Sequence, residues 1–144
     1  MEAVAEEKVN TVPFEGSWSA PQLLIHITKS MNEMAHILQM DAKPAERNPE
    51  ERIAELKKIF LDFSLKFPSP AFIFPENGIY ERQATIDQFN HTFQTYRKSA
   101  IKTSLAELVE GLLLDPITKM EIVYFTLFHT QRHLYQMKKI VAAL

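Results

Sequence analysis

The sequence predicts an all-α protein, a small bundle of helices that makes one domain of residues 1–144. Apolar residues recur at steps of three and four in several separate stretches, the period of a helix with one buried face. The eight prolines and three glycines punctuate the chain between those stretches, as joints between helices do. No stretch alternates apolar and polar residues convincingly enough to be a half-buried strand.

Residues 2–9 have the make-up of one or two helical turns. They run into VPFEGSW, where Pro13 and Gly16 call for an extended or turned chain. Ser19 then stands where a helix N-cap belongs. Gln22 follows three residues later, which makes a capping box, and Pro21 falls in the tolerated first turn. Leu23, Ile27, Met31, Met34 and Leu38 define one face, so a helix is expected over 20–40. The polar linker DAKPAERNP leads to Asn48, the expected cap of a helix over 50–66, with Pro49 at its first position and Glu51 at its third. Ile53, Leu56, Phe60 and Phe63 form the stripe of that helix.

FPSPAFIFPENG, residues 67–78, carries three prolines and a glycine and cannot stay helical. It is apolar for a loop, so it is expected to lie across the bundle. A helix over 82–99 shows Ile86, Phe89, Phe93 and Tyr96 on one face. A short helix over 104–110 should end at Gly111, followed by a turn at Asp115 and Pro116. Thr118 with Glu121 forms a second capping box, which opens a last helix over 119–142. Helices joined by short or moderate connections pack as an antiparallel bundle.

Hydrophobic residues make up 46% of the chain and charged residues 24%, enough apolar material for a core. The absence of cysteine excludes disulfides, thiolate ligands and a cysteine nucleophile. The net charge is −2 and no basic stripe stands out, which argues against nucleic acid as a partner. No apolar run approaches the roughly 20 residues of a membrane helix, and MEAVAEEKVN lacks the apolar region of a signal peptide. A cytoplasmic protein is the expectation.

The last helix contains HTQRH. His129 and His133 are four residues apart, so their imidazoles share one face, a turn apart, and can reach one metal ion. Taken alone, the pair also fits two histidines at a helix contact, each hydrogen-bonded to a neighbour. His26, on the inward side of the first long helix, is open to the same two readings. His36 and His91 have no partner at ligand spacing and read as surface groups.

Two motifs give the histidines a context. GSWSAPQLLIHI, residues 16–27, resembles the signature of the DinB-like superfamily, in which a Trp-Ser cap opens a helix and a histidine two turns in is the first metal ligand. IVYFTLFHTQRHLYQMKKI, residues 122–140, resembles the closing motif of the same superfamily, a last helix with H-x-x-x-H followed by a glutamine. The resemblance implies a four-helix bundle in up-down-down-up order. It implies that His26, His129 and His133 ligate a divalent ion in an open pocket, and it implies metal-dependent chemistry, thiol transfer included. Relatives usually have a full helix before the Trp-Ser motif. Here only the short segment 2–9 stands there, so the first helix is shortened or the bundle is completed another way. A homodimer that covers the bared face is the expectation.

Zn²⁺, Ni²⁺ and Fe²⁺ all accept three imidazoles. Thr130 stands where H-E-x-x-H has its glutamate, which disfavours that type of peptidase. A low-molecular-weight thiol and a small electrophilic substrate fit better, with a metal-dependent hydrolase or a non-catalytic metal-binding or structural bundle as alternatives. Gln136 is placed to orient His133. Phe125 and Thr126 lie on the same face as candidate pocket residues. Arg132 is either an anchor for an anionic substrate or a surface group. Trp18 is read as a plug at the bundle end, Glu33 and Asp62 as solvated, and Met31, Met34 and Met40 as core.

Overall fold

The computed structural model describes residue 1, residues 3–111 and residues 116–144. Four helices carry the fold: α1 (Ala20–Gln39), α2 (Ile53–Phe60), α3 (Arg82–Lys102) and α4 (Lys119–Ala142). Short 3-10 turns stand at Glu6–Lys8 and Ala71–Ile73. Three very short strands, β1 (Lys43–Pro44), β2 (Glu107–Val109) and β3 (Ile117–Thr118), pair antiparallel in the order β1-β2-β3. Lys43 stands opposite Leu108, and Leu108 opposite Thr118.

Both capping boxes form. The Gln22 amide donates to Ser19 Oγ at 3.4 Å while Ser19 N–H donates to Gln22 Oε1 at 2.9 Å. At α4 the Glu121 amide reaches Thr118 Oγ1 at 3.1 Å and Thr118 N–H reaches Glu121 Oε2 at 3.0 Å. Each box satisfies N–H groups that a helix start leaves open. The core lies between α1 and α4. Leu23, Ile27, Met31, Ala35 and Leu38 of α1 join Ile122 and Ile140 of α4, with Tyr96 of α3 and Val109 and Ile117 of the sheet added at the edges. Of the expected core methionines, Met40 is 43% exposed because α1 stops just before it.

α1 is the central helix and packs on α3 and α4, while α2 packs on α4. The sheet fixes the directions. Gln39 Nε2 donates to Ser99 Oγ at 3.0 Å, joining the C-terminal ends of α1 and α3, which therefore run parallel. α4 starts from β3 at that same end and runs against them. α2 also starts there, since Arg52 N–H donates to Glu121 Oε1 at 2.9 Å. In chain order the four helices alternate in direction, so up-down-down-up is not their order as numbered.

Two expected helices are corrected. The second covers only Ile53–Phe60 rather than 50–66. Asn48 caps a turn ahead of it, accepting from the Glu50 amide at 3.0 Å, and Arg52 takes the cap position with its side chain turned to Glu55 and Pro116 O rather than to the helix amides. At the far end Asp62 Oδ1 accepts from the Ser64 amide (3.0 Å) and hydroxyl (2.6 Å), a local turn that competes with a further helical turn. The segment expected as a helix over 104–110 instead holds β2. Seven residues make a marginal helix, and here neighbours take the backbone bonds. Ala106 O accepts from Ala45 N–H at 2.9 Å and Leu105 O from Met120 N–H at 3.0 Å. The turn expected at Asp115 lies outside the described residues.

α3 keeps part of its expected face, since Tyr96 joins the core and Phe89 packs against it. Its buried residues are Thr85, Thr92, Tyr96 and Ser99, whereas Phe93 is 42% exposed. Small polar side chains let α3 lie close along α1. The connection 67–78 does cross α1, with Ile73 and Pro75 buried, yet Phe67, Phe72 and Phe74 remain about half exposed.

Candidate metal centre

His26 occupies the second turn of α1, where the Ser19 cap sets its rotation about the helix. His129 and His133 rise from consecutive turns of α4. Because α4 runs against α1, the second turn of one helix meets the middle turns of the other. His26 Nε2 stands 3.1 Å from His133 Nε2, and His133 Nε2 stands 3.1 Å from His129 Nε2. The three prospective ligand atoms all lie within 4.8 Å of one another. His26 and His133 are 3% and 9% exposed, and His129 is half-buried.

The other ring nitrogens explain this convergence. His26 Nδ1–H donates to Ile73 O at 3.1 Å, with Ser69 Oγ at 3.4 Å beside it. His133 Nδ1–H donates to Gln136 Oε1 at 3.0 Å. A neutral imidazole whose Nδ1 carries the proton presents an Nε2 lone pair. Two such lone pairs and the Nε2 of His129 therefore face one point. Without a cation between them this arrangement is repulsive. Two nitrogens about 2.0–2.1 Å from one ion at a tetrahedral angle stand about 3.3–3.4 Å apart, close to the spacing found here. The donor set fits a divalent ion of the borderline kind, and no carboxylate among the described residues joins the cluster.

Burial depresses all three imidazoles. His129 falls from 6.5 to about 2, first through burial and then through repulsion from His133, His26 and Arg132. His133 falls to about 4, again chiefly by burial, with the Gln136 bond opposing. His26 is lowered by burial, against its bond to Ile73. All three are neutral at physiological pH, the form that ligation needs.

Aromatic rings surround the cluster. Trp18 lies 4.9 Å from the His26 ring and meets Phe74 edge-on at 5.3 Å, so it plugs the bundle end beside the first histidine. Phe125 stacks on His129 at 5.6 Å, and Phe60 meets Phe125 edge-on at 4.9 Å. Thr126, a candidate pocket residue, does not turn to the site. Its hydroxyl donates back to Ile122 O at 2.9 Å within α4. Arg132 is neither free in solvent nor open to a ligand. Its guanidinium donates to Phe60 O at 3.2 Å, to Asp62 O at 2.8 Å and to Leu65 O, and lies over the Phe67 ring. His36 and His91 are exposed, as expected, as is Asp62, while Glu33 is partly covered.

Three contributors were not legible in the sequence. The Ile73 carbonyl is a backbone group with no residue signature. Ser69 reaches His26 from a loop 43 residues away in sequence. Lys29 holds that loop by donating to Phe74 O at 3.0 Å. Searches of the chain against protein-family models, curated proteins and solved structures return no match.

Proposed function

We propose that the chain is a metal-dependent enzyme resembling the DinB-like superfamily, with His26, His129 and His133 holding a divalent ion and with transfer of a low-molecular-weight thiol to a small electrophile as its reaction. The observation that carries this reading is the convergence of three Nε2 atoms, two of them with their Nδ1–H groups already donated away. An ion held there would supply a Lewis acid that lowers the pKa of a thiol brought to it. The chain has no cysteine, so the sulfur comes from a small molecule.

The residues present support that chemistry in three ways. Ile73 O and Gln136 keep two imidazoles in the ligating tautomer and orientation. The aromatic walls, Trp18 with Phe74 and Phe125 with Phe60, exclude water and offer apolar surface to an electrophile. Among the described residues no carboxylate joins the cluster, so none of them stands there as a carboxylate base for hydrolysis.

The helix directions add support for the resemblance. α1, α3 and α4 run down, down and up, like the last three members of an up-down-down-up bundle. The short helix α2 runs up against α4, in the direction a first helix would take. On this reading the bundle is completed by a segment drawn from between its later helices.

The test is metal analysis of protein purified without a histidine tag, followed by assay of the loaded protein with a panel of small thiols and a model electrophile. About one ion per chain is expected, with thiol consumption that the His129→Ala variant lacks. Metal without consumption would leave a binding module. No metal in a folded protein would end the reading.

A further inference from the structure

The last residue of α2 and the segment after it reach the His129 side of the metal centre through a relay of stacked rings. Phe60 meets Phe125, which stacks on His129, and Phe67 stacks on Phe60 at 5.6 Å. Past Leu61 the chain has no regular structure up to the turn at Ala71–Ile73. It buries little of its own apolar surface, since Phe63, Leu65 and Phe67 are each more than 40% exposed. Burial alone is therefore a weak reason for it to stay closed.

Arg132 supplies the missing hold. It stands on α4 between the two histidines of HTQRH, and its guanidinium gathers the carbonyls of Phe60, Asp62 and Leu65. Its face lies 4.9 Å from the centre of the Phe67 ring. A planar fork with five N–H donors can serve several carbonyls and an aromatic face together, which a lysine ammonium cannot. One further tie to α4 is Phe63, stacked on Tyr135 at 4.2 Å. On the opposite side of the cluster, loop 69–76 is fastened to α1 by separate bonds, from His26 to Ile73 O and from Lys29 to Phe74 O. The two walls thus have independent fastenings, and the one over His129 depends most on a single side chain.

We propose that Arg132 is a positioning residue that latches segment 60–67 over the metal centre, and that release of this latch admits the substrate. The admission step rests on the metal-centre reading. The latch itself does not.

Two measurements separate the parts. Hydrogen exchange is first followed in metal-free wild type, Arg132→Ala and Arg132→Lys. Loss of the guanidinium should speed amide exchange over 61–67 by about tenfold or more, the effect of losing charge-assisted bonds. Amides of α1 and α4 should be unchanged, and lysine should rescue little. Uniform exchange across 61–67 in all three proteins overturns the latch. Acceleration throughout α4 also overturns it, because Arg132 would then be supporting the helix. The Co²⁺-loaded proteins are then mixed with benzohydroxamate, a bulky ligand for open metal positions, and the visible spectrum is followed in time. Arg132→Ala should start from the wild-type Co²⁺ spectrum and admit the ligand about tenfold faster or more. Equal rates, or no binding in either protein, overturn the admission step. Phe67→Ala removes one ring of the wall without touching α4 and should also speed admission. Failure of wild type to take up Co²⁺ refutes the metal centre and leaves the exchange result to decide the latch.

Discussion

A buried carboxylate organises the start of α4. Glu121 is fully buried and takes 2.7 Å bonds from both Nη atoms of Arg47, a 2.9 Å bond from the Arg52 amide and a 3.0 Å bond from the Thr118 amide. Burial pushes its carboxyl up, and these donors outweigh that, so its pKa lies below the ordinary 4.5. Removing one partner of a buried pair strands the other. Glu121→Ala should therefore lose about 3 kcal/mol in denaturant unfolding. The sign of the pH effect follows from the depressed pKa. The stabilisation is complete above about 4.5 and fades as pH drops toward the folded-state value. Below pH 4.5 the stability gap between wild type and Glu121→Ala should narrow, which thermal melts across an acid series would show. The histidines act in the same direction at higher pH. Their folded pKa values, about 4 for His133 and about 2 for His129, lie under 6.5. Metal-free protein is thus expected to lose stability steadily as pH falls below 6.5, because the unfolded chain takes up protons that the folded chain refuses. His129→Ala should flatten that slope. An unchanged slope would place the histidines in a more solvated setting than their burial indicates.

At the scale of elements, the starts of α1 and α4 were plain in the sequence, and the bounds of α2 were not. Ser19 with Gln22 and Thr118 with Glu121 are local signals, complete within four residues, and both formed. Replacing Ser19 by Ala should cost about 1 kcal/mol, the usual value of an N-cap. Thr118→Ala should cost more, since the same hydroxyl also donates to Pro49 O at 2.6 Å and fastens the α2 approach. Comparable losses in the two variants would mean that the Pro49 bond contributes nothing. The ends of α2 and the strand at Glu107–Val109 were hidden because distant groups decide them. Glu121 claims the Arg52 amide, and Arg132 claims carbonyls beyond Phe60, both from α4. β2 exists because β1 and β3 flank it. The metal cluster was legible for a different reason. Spacing alone placed His129 and His133 on one face, and the resemblance added His26. Gln136, three residues after His133, was legible too, whereas the groups that set the His26 ring, a carbonyl at Ile73 and a serine at 69, come from a loop whose path no periodicity reports.

The whole molecule distributes its apolar surface unevenly. The helices lie as α3, α1, α4 and α2 in succession, each packed on its neighbour. Leu127 and Leu134 stand two turns apart on α4 and are 46% and 52% exposed. An exposed apolar strip on a helix that carries candidate ligands is unusual for a monomer. The expected homodimer therefore finds its best face here, along the outside of α4. A self-complementary contact would set Leu127 of one copy near Leu134 of the other, because a two-fold axis pairs the same patch with itself. Light scattering at micromolar concentration should give twice the chain mass of 16.7 kDa. The double substitution Leu127→Glu with Leu134→Glu should yield a folded monomer, since four carboxylates brought together would repel. Wild type at the monomer mass would refute the dimer outright. A double variant that stays dimeric would move the interface off α4, with the exposed Phe93 and Ile101 of α3 as the next face to test.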